Sequence, residues 1–270
     1  MTAARHWPSP RPHAVGHLPV ATAIQRYLLD ADDDLAGEFD VRTRLAARPG
    51  ITVKVLKAEV GECDLGPALS SLRDGYGLLI IEGLLALDMQ VGDRTATELI
   101  GTGDLLVPGS YRADAMLDRR DSWRVLAPAQ LAVLDAAFAA RVQPWPQMVQ
   151  ALLRRASRRT EDVDEMRAIA CHPRLEVRLD LLFWHLAARW GRVEPTGIKL
   201  TLPLTHRLLG QLVAAERPSI SHALGRLSGA GLVTGGAGDW HLHGTVDGHL
   251  ESLASHTLVA SASHVGAGHI

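Results

Sequence analysis

Residues 204–233, LTHRLLGQLVAAERPSISHALGRLSGAGLV, hold two short amphipathic patterns only a few residues apart. In the first, Leu208, Leu209, Leu212 and Val213 fall on one helical face, with Thr205 placed to cap the helix start. In the second, Ile220, Ala223, Leu224 and Leu227 form the apolar stripe, and Pro218 suits the first turn, where no amide proton is needed. Arg217, Pro218, Ser221, His222 and Gly225 fall on the opposite face. Between 197 and 233 four cations (Lys199, Arg207, Arg217, Arg226) meet one anion (Glu216), a local surplus of +3 in a chain whose net charge is −2. A helix backed by leucines and offering its polar N-terminal end can enter a DNA major groove. There an arginine pairs with guanine, and serine and histidine reach bases or phosphates. The competing reading of the same pattern is a solvated helix pair in an all-α domain. TGGAGDWHLHG (234–244) reads as a Gly-rich hairpin tip, which would complete a winged helix.

Upstream the period changes. ITVKVLK (51–57) alternates with Ile51, Val53 and Val55 on one side. GLLII (77–81) and LLALDMQV (84–91) are apolar runs broken by Gly83, and Gly92-Asp93 is a two-residue hairpin signal before RTATELI (94–100). GTGD (101–104) marks another turn, and SWRVLA (122–127) and QLAVLD (130–135) read as two strands flanking Pro128. Many short strands at regular spacing predict a β-barrel or roll. Residues 24–45 read as helical or loose, with a solvated acidic run at Asp30, Asp32, Asp33 and Asp34.

After Pro144 and Pro146 the pattern turns helical. Met148, Leu152, Arg159, Val163, Met166 and Ala170 recur at three-, four- or seven-residue steps, as in a helix paired with a partner, although Arg159 interrupts the seam. RRASRR (154–159) is expected either to decorate the outer face or to pair with Glu161, Asp162 and Asp164, of a partner chain or of its own next turn. Pro173 breaks this helix and LEVRLDLLFWHLAARW (175–190) begins another, with Phe183, Trp184 and Trp190 expected to pack the winged helix against the long one.

The winged segment resembles the helix-turn-helix of the cyclic-AMP-receptor/fumarate-nitrate-regulator (Crp/Fnr) family of bacterial transcription factors. Leu204-Thr205, Gly210-Gln211-Leu212-Val213, Arg217, Ser219-Ile220, Leu224, Arg226-Leu227 and Gly231-Leu232-Val233 fall on that pattern without a gap. GLLALDMQVGDRTATELIGTGDLL resembles the family's roll core, so the likeness covers roughly residues 50–245. It implies an α+β protein: a mobile arm (1–23), a cyclic-nucleotide-binding-like β-roll sensor domain (24–143), a dimerisation helix (144–171), a winged helix-turn-helix (172–246) and a disordered tail (247–270). It implies a homodimer on a palindromic operator in double-stranded DNA, with RNA polymerase as a further partner. Arg217, Ser219, Ser221 and His222 would read bases, and Lys199, Thr205, Arg207 and Arg226 would meet phosphates. Pro218 stands where the family commonly has Glu, and His222 where it has a second Arg, so the preferred DNA sequence should differ.

The sensor departs further. Cyclic-nucleotide-binding members carry a Gly-Glu segment and an Arg-Ser pair, whereas this chain has GDLLVPGSYRADAMLDRRDSWRVLA, without Gly-Glu. Arg120-Asp121 is the nearest match to Arg-Ser, and a carboxylate repels a phosphate. Arg112, Arg119, Arg120, Asp121 and Ser122 are the candidate effector residues, and weak or no cyclic-AMP binding is expected. Two cysteines, Cys63 and Cys171, exclude a four-cysteine zinc or iron–sulfur site. With no histidine between His17 and His172, a cupin-type metal set is not expected and Cys63 is the only candidate haem ligand in the roll; Cys63 is expected as a turn or core residue, with a redox-sensitive thiol as the alternative. His241 and His243 are expected on the surface without a role. No phosphate loop, His-Glu-x-x-His or Gly-x-Ser-x-Gly motif occurs. The expectation is a cytoplasmic non-enzyme without cofactor, metal or membrane span. A ligand-binding roll acting through protein contact is the alternative, and a β-roll enzyme the third reading.

Overall fold

The computed structural model describes residues 21–109, 117, 119–236 and 238–254. The chain forms two compact units, one combining residues up to Asp88 with Leu99–Ala156, the other combining Met89–Glu98 with Ser157 onward.

The first unit contains β1 (Ala21–Tyr27), α1 (Leu28–Ala31), α2 (Asp33–Gly37), α3 (Val41–Ala47), β2 (Thr52–Ala58), β3 (Gly61–Cys63) and α4 (Gly66–Ser70). It continues through β4 (Gly77–Val91) up to Asp88, β5 (Arg94–Gly101) from Leu99, β6 (Leu105–Leu106), β7 (Arg119–Leu134), α5 (Ala136–Val142) and the start of α6 (Pro146–Ala170). One sheet runs in the order β1-β2-β7-β4-β5, with β3 on β7 and β6 on β4. The alternation read at 51–57 holds: Ile51, Val53 and Val55 are buried and face the core with Leu79, Leu105 and Phe138. The acidic run is not all solvated: the Asp32 carboxylate caps α2 by accepting from the Leu35 amide at 3.0 Å, and Asp30 pairs with Arg48.

Two pairs of expected short strands are single long ones. GLLII and LLALDMQV join through Gly83, and SWRVLA and QLAVLD join through Pro128, because the two breakers sit side by side. Gly83 has φ +103°, and a Cβ there would lie 2.5 Å from the Pro128 carbonyl oxygen. Glycine lets the two backbones touch, and the strands run on past the contact. The hairpin at Gly92-Asp93 is present, with Gly92 at φ 62°.

Helix α6 spans the predicted long helix, but its seam differs. Met148 and Leu152 are buried in the roll core beside Ala151, so the inner stripe packs within the chain. Val149 and Ala156 pack partly against the same core, whereas Leu153 is 60% exposed and Val163, further along, is half-buried. Three of the four RRASRR arginines pair with acids far along the chain. Arg154 pairs with Glu38, Arg155 with Asp32 and Arg159 with Glu98, all distant in sequence.

The second unit holds α7 (Leu175–Trp190), β8 (Gly191–Glu194), β9 (Gly197–Thr201), α8 (His206–Leu212), α9 (Arg217–Gly229), β10 (Val233–Gly236), β11 (Asp239–Leu242) and a last helix, α10 (246–254). Its sheet runs β10-β11-β9-β8, every pair antiparallel. Phe183 is fully buried against Trp240 of the wing, ring centroids 5.0 Å apart, so the aromatic cluster packs α7 onto the wing. Trp184 meets His249, and Arg189 stacks on Trp190.

The ends differ from expectation. Residues 1–20 and 255–270 lie outside the described residues, but β1 begins inside the expected arm and α10 occupies the start of the expected disordered tail. α10 is anchored by His249, 1% exposed, whose Nδ1 lies 2.6 Å from the fully buried Asp180 carboxylate. Among the described residues no helix is long and apolar enough to cross a membrane.

Candidate nucleic-acid interface

Helix α8 starts where the sequence says it should. Thr205 Oγ1 accepts from the Leu208 amide at 3.1 Å, leaving its own hydroxyl proton free to donate. Leu208, Leu209 and Leu212 are buried, as are Ile220, Ala223 and Leu227 of α9, so the two apolar stripes face inward together. Leu224 is only half-buried.

The turn between the helices explains two residues. Ala214 sits at φ 53°, the left-handed conformation that closes the turn. Gly210 receives the returning chain: its carbonyl accepts from the Ala215 amide at 2.8 Å, and a Cβ on it would lie 2.5 Å from the Ala215 carbonyl oxygen. Only glycine admits that approach.

The N-terminal end of α9 is open. Arg217, Pro218, Ser219, Ser221, His222 and Gly225 are all exposed, and a Cβ on Gly225 would meet nothing within 4 Å. The side chains of Arg217, Ser219 and His222 make no hydrogen bond or ion pair among the described residues. Ser221 differs. Its hydroxyl lies 2.9 Å from His206 Nδ1 and also reaches the Arg217 carbonyl at 3.4 Å. His206 is therefore a member of this surface that the sequence pattern did not single out. Its one signal was its place directly after the cap Thr205, at the start of α8.

The four expected phosphate ligands fall into two groups. Thr205 and Arg207 are exposed at the start of α8, and Arg207 has no partner among the described residues. Lys199 of β9 lies 3.4 Å from Asp239 of the wing, whose carboxyl is held below its usual range by the Thr201 hydroxyl first and Lys199 second. Arg226 is ion-paired with Glu176 of α7, although its side chain stays 65% exposed. On the wing, the His241 and His243 rings stack at 6.5 Å, and His243 Nε2 lies 2.8 Å from the Thr234 hydroxyl.

Arg112 lies outside the described residues. Arg119, Arg120, Asp121 and Ser122 occupy the exposed start of β7, where Arg119 forms a two-bond pair with Asp121 at 2.7 and 2.8 Å. Cys63 is half-buried on β3, and burial, with Asp64 adding to it, pushes its thiol up to about 11. A thiol held up in this way ionises less readily to the reactive thiolate.

No family model matches the sequence, and no curated protein matches it. Solved structures do. A cyclic nucleotide-binding domain containing protein from Listeria monocytogenes superposes with a TM-score of 0.57 at 14% identity, over 70% of this chain and 88% of that one. The c-di-GMP responsive global regulator of Xanthomonas campestris gives 0.53 at 16% identity, over 79% of this chain and 100% of that one. A transcriptional regulator of the CRP/FNR family from Thermus thermophilus gives 0.51 at 17%, over 73% of this chain and 97% of that one. At these identities the likeness is one of fold: a β-roll unit, a long helix and a winged helix-turn-helix, in that order.

Proposed function

We propose that this chain, built on the Crp/Fnr regulator fold, is a sequence-specific DNA-binding transcription regulator that works as a homodimer. The observation that carries the reading is the N-terminal end of α9: Arg217, Ser219 and His222 stand exposed and uncommitted on a helix whose other face is anchored by α8. Arg217 reads guanine, His222 and Ser219 contact neighbouring bases, and Pro218 offers only apolar contact to a thymine methyl. Thr205 and Arg207 meet the phosphate backbone at once, while Lys199 and Arg226 exchange a carboxylate for a phosphate oxygen. The part of α6 around exposed Leu153 pairs with a second copy, placing two α9 helices about 34 Å apart on a palindromic site. The roll does not respond to cyclic AMP, because Asp121 already neutralises Arg119 where a phosphate would need a free cation.

Selection of bound sequences from a random DNA pool, followed by anisotropy titration of the winner, tests this. Arg217→Ala should cost about 1–3 kcal/mol and relax preference at one base pair of each half-site. Binding should weaken steeply with salt. A variant that binds every operator sequence as the unaltered protein does would remove Arg217 as a reader. Failure to select any sequence would favour a roll that signals through protein contact.

A further inference from the structure

Asp162 and Glu165 stand three residues apart on α6 and so share one face of that helix. Across from them His185 projects from α7, 9% exposed, with Nδ1 2.8 Å from the Glu165 carboxylate. One imidazole nitrogen and two carboxylate oxygens, each from a different residue, lie within 4.8 Å of one another. We propose that these three side chains bind a divalent transition-metal ion of the zinc class, which clamps α7 to the second half of α6.

The chemistry suits that ion. Zinc accepts imidazole nitrogen at about 2.0–2.1 Å and carboxylate oxygen at about 2.0–2.2 Å, which puts neighbouring ligand atoms of a tetrahedron about 3.4 Å apart. The cluster reaches this spacing by small rotamer adjustments: Glu165 withdraws slightly from His185, and Asp162 closes in. Three protein ligands leave a fourth position for water. Magnesium, which prefers an all-oxygen octahedron, fits this donor set poorly. One protein cation competes for the site. Arg189 Nη1 lies 3.1 Å from Asp162, and its guanidinium also stacks over Trp190 at 4.3 Å. That stacked position gives Arg189 a place to stay when a metal takes Asp162.

Position makes the site consequential. α7 carries Glu176, which holds Arg226 of α9, and Phe183, which holds Trp240 of the wing. An ion that fixes α7 on α6 therefore fixes what α9 is mounted on. The metal site stands on its own geometry, whereas its effect on DNA rests on the function proposed above.

The test uses the full chain stripped with chelator and titrated with Zn²⁺ by calorimetry, beside Glu165→Gln, His185→Gln, Arg189→Gln and a His241→Ala/His243→Ala control for other surface histidines. Glu165 has a side chain 61% exposed, so Glu165→Gln leaves the fold intact and keeps the test decisive even if His185→Gln, at a buried position, unfolds the chain. The expected result is one equivalent of Zn²⁺ lost in Glu165→Gln and in His185→Gln, kept in the wing control, and bound several-fold more tightly in Arg189→Gln. Co²⁺ should give a visible absorption band that Glu165→Gln abolishes, and Mg²⁺ should not compete. Equal stoichiometry and affinity in the unaltered chain and Glu165→Gln would overturn the site. Operator anisotropy with and without Zn²⁺ then separates the two proposals. A zinc equivalent that depends on Glu165, in a chain that selects no operator, sustains the site and refutes the DNA reading.

Discussion

Arg155 stands second in a run of arginines on a long helix and reads as surface charge, yet its side chain is 5% exposed. Its Nη2 lies 2.7 Å from an Asp32 oxygen whose side chain is 8% exposed, and its Nη1 donates to the Gly103 carbonyl at 2.9 Å. Asp34, 3.8 Å away but 85% exposed, contributes little. Arg155→Met keeps most of the aliphatic stem and removes the charge. Asp32 is then a buried carboxylate whose remaining donor is the Leu35 amide at 3.0 Å, and Gly103 loses its donor. Breaking a buried pair from one side costs about 3–5 kcal/mol, and the surviving amide bond places this case near the lower end, about 3 kcal/mol. Adding Asp32→Asn removes the stranded charge but keeps a capping oxygen for α2. The double variant should therefore recover to a loss of about 1–2 kcal/mol, because an uncharged pair carries a smaller desolvation cost. Calorimetric melting resolves this, since each kcal/mol moves the midpoint by about 2–4 °C in a chain of this size. An Arg155→Met midpoint within about 3 °C of the parent, or a double variant as weak as the two single losses added together, would refute the reasoning.

Gly210→Ala drives a methyl against the Ala215 carbonyl and should destabilise the second unit by about 1–3 kcal/mol, with DNA affinity falling in step, measured by melting and anisotropy. His249 should tie α10 down more firmly at low pH. Burial alone would lower its pKa, but the Asp180 carboxylate and the His243 carbonyl outweigh that and raise it, since both ring nitrogens face acceptors. With the folded value raised, the contribution is complete below the ordinary histidine range near 6.5 and is lost as pH rises through the higher folded value. Amide exchange across 246–254 should accelerate over that window, and His249→Ala should abolish the pH dependence; a pH-independent parent would contradict the assignment. Under limiting iodoacetamide at mildly alkaline pH, mass spectrometry should find Cys171, which is exposed, alkylated well before Cys63, whose thiol sits at about 11. The reverse order would show Cys63 to be the reactive thiol.

What the sequence determined by itself was local. α8 and α9, the Thr205 cap, the Pro218 start, the Gly92 hairpin and the exposed Arg217 end are each set by residues within a turn or two of one another, and periodicity exposes them directly. Tertiary structure decided what depends on distant neighbours. Gly83 and Pro128 read as strand breaks until they are placed side by side, where they become the point at which two long strands touch. Arg155 reads as surface charge because its partner is 123 residues away. Met148 and Leu152 read as a seam for a partner, yet the roll takes them into its own core and leaves Leu153 exposed, because an apolar stripe does not say which surface will cover it. Asp162, Glu165 and His185 form no motif along the chain, and only the packing of α7 on α6 brings them within reach of one ion. Short-range geometry is written in the order of residues, whereas a charge finds its counter-charge, and a ligand set its third member, only when the backbone folds back on itself.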